Sequence, residues 1–145
     1  MYSHILLATD GSDLAKRAIA DGLALARALK AEVTILCVVQ PLHAVAPAEV
    51  MIAFPADEYK KGAEEHAEAA LARGEAAAKE LGVVCAKVRT TNEQPWQAII
   101  ETARSKGCDL IVMGSHGRSG IAQFVLGSQT QKVLSHSTVP VLVTR

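Results

Sequence analysis

The sequence predicts a single α/β domain built as a doubly wound sheet, and three observations carry that expectation. Five short apolar runs, Ile5 to Thr9, Val33 to Val39, Val83 to Val88, Leu110 to Met113 and Val139 to Val143, have strand length and are mostly β-branched or Leu. Helical patterns fill the intervals between most of them. Half of the 145 residues are hydrophobic but only 3% are aromatic, so the core is made of Ala, Val, Leu and Ile, a composition suited to close helix packing. A domain of this length buries roughly 68 to 70% of its unfolded surface and needs no disulfide or metal staple.

The elements follow in order. After the first run, Ser12 is placed to cap a helix reaching Lys30, whose buried face is read from Leu14, Ala18, Gly22, Leu25 and Leu29 at spacings of three and four. From Asp57 to Leu81 an Ala, Glu and Lys-rich helix carries a stripe of Ala63, Ala67, Ala70, Leu71, Ala78 and Leu81, closed by Gly82. Pro95 suits the first turn of a third helix running to about Lys106 through Ile99, Ile100 and Ala103. A fourth begins at Gly127 or Ser128 and ends near His136. The stretch from Pro41 to Asp57 is long for a connection and has room for a short helix around Val50, Met51, Ile52, Ala53 and Phe54.

Strand and helix alternating in this way require crossovers, which are right-handed in about 98% of cases, so the product is a twisted parallel sheet covered on both faces. Ligands of such sheets bind beyond the carboxyl ends of the strands, where the strand order reverses. Charge narrows the ligand class. Lys plus Arg equals Asp plus Glu at 15 each, which removes the basic excess of a general nucleic-acid binder or an anionic-membrane binder. No apolar run approaches a membrane span, the N-terminus lacks the features of a signal peptide, and Cys37, Cys85 and Cys108 are too scattered for a disulfide framework. These features predict a cytoplasmic protein.

Two loops after strands carry chemistry. Following the fourth run the chain reads Met113, Gly114, Ser115, His116, Gly117, Arg118, Ser119 and Gly120, with Gly127 and Ser128 opening the last helix, a G-x2-G-x9-G-S spacing. Glycines admit positive φ and close approach of the backbone to a ligand, and exposed N–H groups at a loop and a helix N-terminus attract phosphate. The alternative is a turn plus an N-cap. His116, inside this loop, either approaches a phosphate or turns outward. After the first run, Asp10 follows Thr9, where its carboxylate either meets an exocyclic amine or ribose hydroxyl or caps the first helix. The sequence has neither a Walker A motif nor a G-x-G-x-x-G after its first strand, and no base or arginine finger is evident for fast phosphoryl transfer. Ser115, Ser119 and Ser128 lack the setting of a nucleophile elbow.

The terminal T-D-G-S of the first strand, D-L-I-V-M-G-S-H-G-R-S-G, the glycine spacing and the closing V-P-V-L-V together resemble the ATP-binding branch of the universal stress protein family, over essentially the whole chain. The resemblance implies a Rossmann-like five-stranded sheet ordered 3-2-1-4-5 and an adenine nucleotide, ATP with Mg²⁺ in the first instance, bound across strands one and four of a homodimer. By position, Thr9 and Asp10 would flank the adenosine, with Asp10 on the base. The Val38 backbone would meet adenine, and Met113 would pack near sugar or base. Gly114, Gly117, Gly127 and Ser128 would hold ribose and phosphates, with Arg118 near the phosphate tail. Gln129 stands where a small apolar residue is common, a departure beside the phosphates.

The last run has its own consequence. Val139, Val141, Leu142 and Val143 would lie on a sheet edge, and an apolar edge strand left unpaired invites self-association, with Pro140 removing only one donor. The remaining functional alternatives are an interaction module working without nucleotide through the Pro41 to Asp57 segment or the dimer edge, and a slow ATPase or self-phosphorylating protein. The five histidines, His4, His43, His66, His116 and His136, show no metal-ligand spacing, and Trp96 reads as a packing residue.

Overall fold

The computed structural model describes residues 1–53, 55–116 and 126–145, and over these the chain alternates strand and helix. Strands β1 (His4–Thr9), β2 (Glu32–Val39), β3 (Cys85–Thr91), β4 (Leu110–Gly114) and β5 (Val141–Thr144) form one five-stranded sheet in the order β3-β2-β1-β4-β5, with every pairing parallel. The helices are α1 (Asp13–Leu29), α2 (Leu42–Val45), α3 (Ala48–Ala53), α4 (Ala56–Glu80), α5 (Pro95–Ser105) and α6 (Ser128–His136).

Two cores follow from the two-residue alternation of the strands. On one face Ile5, Leu7, Val33, Ile35, Cys37, Leu110 and Val112 meet Ile19, Leu23 and Ala26 of α1 and Ala67, Leu71 and Ala78 of α4. On the other, Leu6, Leu36, Ile111 and Met113 meet Ile99 and Ala103 of α5 and Val133 of α6. Helices on both faces are what the run-and-helix pattern predicts.

The face of α1 differs from the reading above. Ala15, Ala18, Ile19, Gly22, Leu23 and Ala26 are buried, while Leu25 and Leu29 pack only at the margin. Ala18 and Gly22 are on the buried face as expected, and the seam is turned toward Ile19 and Leu23; a Cβ on Gly22 would collide with Leu7, so glycine there sets how closely α1 lies on β1. Strand β3 begins two residues later than the apolar run. Gly82, at φ +70°, and the Val83 N–H donating to the Ala78 carbonyl wind off α4, and Val84 is left exposed. Strand β5 starts at Val141, after Pro140, so Val139 lies outside the ladder, its N–H donating to the Ser137 hydroxyl at 3.0 Å. The 41–57 stretch holds two short helices, α2 and α3, rather than one.

The N-terminus is held by Asp109, at the entrance to β4. Its carboxylate accepts from the Ser3 N–H and hydroxyl, both at 2.9 Å, and from the His4 N–H at 3.1 Å. Burial alone would raise this carboxyl's pKa, but the hydrogen bonds from Ser3 and His4 outweigh it and hold the group below its ordinary value.

Candidate functional site

The two central strands of the sheet part before they end. The ladder between β1 and β4 stops at Leu7 and Val112. Each strand nevertheless continues pairing outward, β1 with β2 through Thr9 and Cys37, and β4 with β5 through Gly114 and Thr144. The chain leaves β1 toward α1 on one face and leaves β4 toward the other, which is the topological switch point where ligands of this architecture bind. Val38 lies one residue beyond the β1–β2 ladder and pairs with Thr90 of β3.

Hydrogen bonds define the first wall. The Thr9 hydroxyl accepts from the Gly11 N–H at 3.1 Å, and the Asp10 carboxylate accepts from the Ser12 N–H at 2.9 Å. Ser12 is the cap of α1, its hydroxyl accepting from the Ala15 N–H at 3.2 Å. Capping is therefore the work of Ser12, and Asp10 shapes the turn before it. Gly11 has φ +80°, a conformation other residues rarely adopt, and a Cβ there would come within 2.5 Å of the His66 Nε2. That nitrogen hydrogen-bonds the Asp10 carbonyl at 3.1 Å, so α4 holds the turn from outside.

The second wall is the exit of β4. Met113 is buried in the α5–α6 core, and Gly114 follows it at the rim. Its carbonyl accepts from the buried Thr130 hydroxyl at 2.9 Å. The Ser115 hydroxyl hydrogen-bonds the His116 Nδ1 at 2.9 Å, and His116 Nε2 is inaccessible with no hydrogen-bond partner among the described residues. Gly117 and Arg118 lie outside the described residues.

The loop returns at Gly127, whose N–H donates to the Ser115 carbonyl at 2.7 Å, bringing the start of α6 against the end of β4. Gly127 is the N-cap of α6 and supplies no side-chain cap. The first turn, Ser128 to Thr130, consequently presents backbone donors that a capping side chain would otherwise take, at the positive end of the helix dipole. Ser128 is exposed there. The expectation of positive φ does not hold at the described motif glycines: Gly127 has φ −59°, and Gly114 is absent from the positive-φ glycines, Gly11, Gly82 and Gly107. Among the described residues a Cβ on Gly114 would meet only ordinary contacts, the nearest at 3.5 Å. Among the described residues, neither the backbone conformation at these two positions nor packing at Gly114 demands glycine.

Gln129 turns sideways. Its Oε1 accepts from the Trp96 N–H of α5 at 3.0 Å, a contact the sequence did not disclose. His66 was equally unmarked, one histidine on an alanine-rich helix with no partner nearby in sequence. Among the described residues no cluster of His, Cys, Asp or Glu has the makings of a metal site, and no helix is long and apolar enough to cross a membrane. None of the three cysteines is in a disulfide, and burial pushes the pKa of the Cys108 thiol up to about 11.

The protein-family model described as the universal stress protein family matches residues 1–145. The chain belongs to this family. A universal stress protein of Thermus aquaticus is 38% identical over 146 residues, covering 100% of both chains. The structure of the universal stress protein UspA from Lactobacillus plantarum superimposes with a TM-score of 0.83 at 26% identity, covering 99% of this chain and 98% of that one. Another, of a universal stress protein in complex with cAMP, has a TM-score of 0.75 at 27% identity, covering 99% of this chain and 97% of that one. The family thus accounts for the strand order and for the whole length of the chain.

Proposed function

We propose that this universal stress protein is a cytoplasmic binding module for an adenine nucleotide, ATP in the first instance, whose occupancy biases its assembly or a partner surface in a stress response. The observation that carries the reading is the parting of β1 and β4 opposite a helix N-terminus with no side-chain cap. A relative of the same fold solved with cAMP supports the chemistry. In this reading Thr9 and Asp10 flank the adenosine, the Val38 backbone meets the base, and Met113 packs near the sugar or base. Gly114, Gly127 and Ser128 take ribose and phosphates together with His116, Gly117 and Arg118. Mg²⁺ would arrive with the triphosphate, because among the described residues no group of three or more His, Cys, Asp or Glu offers a protein cage for it.

The module is proposed to be a homodimer through β5. The two sheet edges differ: on β3, Lys87 and Arg89 bridge to Glu75 and Glu68 of α4, each at 3.0 Å, and charge of this kind blunts an edge. β5 carries Val141, Leu142, Val143 and Thr144, with Leu142 exposed. A second reading, an interaction module independent of nucleotide, is favoured by the exposed Val45, Val50, Met51 and Ile52 on α2 and α3.

Isothermal titration of protein stripped of copurified ligand with ATP, ADP and AMP tests the first reading. Saturable binding is expected. Gly127→Val, which the backbone at φ −59° accommodates, should abolish it while the protein stays folded. Absence of binding by the parent protein to all three nucleotides would sink the reading, and partner capture by nucleotide-free protein would favour the second.

A further inference from the structure

The phosphate-facing helix of this chain is held by an arrangement the glycine motif does not include. Helix α5 starts with no side-chain cap: Gln94 provides none, and Pro95 has no N–H. Trp96 therefore brings the first N–H of α5 that needs an acceptor, and Gln129, the second residue of α6, supplies it at 3.0 Å. The same tryptophan reaches the far end of α6. Its ring lies against that of His136, centroids 4.5 Å apart and planes tilted by 34°, while its indole N–H donates to Gln94 Oε1 at 2.8 Å. Between these ends Val133 is fully buried, with Trp96 packed against its cluster. Trp96 thus lies along α6 and grips it at both ends, and the N-terminal grip is immediately beside Ser128.

We propose that Gln129 is a positioning residue for phosphate recognition, fixing the first turn of α6 through Trp96 so that the affinity for a phosphate tail depends on the α5–α6 contact. The proposal rests on the adenine-nucleotide reading above and specifies which part of the ligand Gln129 governs. It also makes Trp96 a reporter. Gln129 is the hydrogen-bond acceptor of the tryptophan's own backbone, so a ligand that shifts the first turn of α6 shifts the environment of the indole. Trp96 is the chain's single tryptophan.

The test is Gln129→Met, close in length but without an acceptor, compared with the parent protein in titrations with ATP and with adenosine, each followed by heat and by Trp96 emission. In the parent, ATP is expected to move the emission and adenosine to leave it in place. In the variant, ATP should bind about fivefold more weakly, the size of one ordinary hydrogen bond, with adenosine affinity unchanged and the emission response lost. Unchanged ATP affinity in the variant would overturn the proposal, as would an equal loss for ATP and adenosine, which would mark a general structural role. An unresponsive indole in a parent that binds ATP would do the same. A parent that binds neither ligand would bring down the nucleotide reading itself, and this proposal with it.

Discussion

Replacing Gly11 by Ala strikes the turn that carries Asp10, and its cost has two separable parts. At φ +80° an alanine bears the left-handed penalty of about 1 to 2 kcal/mol. Its methyl would also stand 2.5 Å from the His66 Nε2 and 3.0 Å from its Cε1, so the imidazole must swing away and give up its bond to the Asp10 carbonyl, a further ~1 kcal/mol. Gly11→Ala should therefore lower stability by about 2 to 3 kcal/mol, and His66→Ala alone by about 1. Since both changes remove the same hydrogen bond, the double variant should be no worse than Gly11→Ala, a coupling of ~1 kcal/mol. Urea unfolding of the four proteins, with m-values checked for constancy, measures this directly. Strictly additive losses would refute the idea that His66 and the Gly11 turn form one unit. A Gly11→Ala protein as stable as the parent would refute the strain as well.

Other consequences follow from the same geometry. Asp10→Ala is expected to weaken ATP by about 1.5 to 3 kcal/mol in calorimetric titration, whereas Ser12→Ala, which removes the α1 cap, should cost ~1 kcal/mol of stability and leave affinity in place. If both effects appear only in melting curves, Asp10 is structural. Leu142→Lys, a charge on the β5 edge, should convert a light-scattering mass of a dimer into that of a monomer, and a parent already monomeric at micromolar concentration would refute edge pairing. The Asp109 carboxyl is held below its ordinary value, so its contribution to stability is present above the unfolded-state pKa and is lost as pH falls through the folded-state one. Asp109→Asn should accordingly be less stable at neutral pH and show a shallower loss on acidification, measured by denaturant unfolding from pH 7 to 3.

What sequence reading captured and what it missed have a common physical origin. Apolar runs and helical spacing report burial, so the parallel sheet, the α4 stripe of Ala67, Ala70, Leu71 and Ala78, and the Gly82 turn were legible. Ser12 announced itself as a cap because capping is local. On α1 the spacing identifies Ala18 and Gly22 as buried, but it places Leu14, Leu25 and Leu29 beside them where the structure buries Ala15, Ile19, Leu23 and Ala26. Where β1 and β4 part, Asp10 and the glycine spacing are legible, but their supports are not. His66 acts across 56 positions and Gln129 across 33, and neither distance leaves a trace in local pattern. The divergence of β1 from β4 is a property of strand pairing that no single segment encodes.

The unequal edges of the sheet also bear on how far assembly can go. Under the proposed pairing, two chains joined at β5 present β3 at both outer limits of the combined sheet, and that edge is the one furnished with Lys87 and Arg89. Each chain spends its single adhesive edge on the first encounter. The product is closed, with no strand offered to a third chain, so the arrangement that favours pairing also guards against runaway growth into fibres.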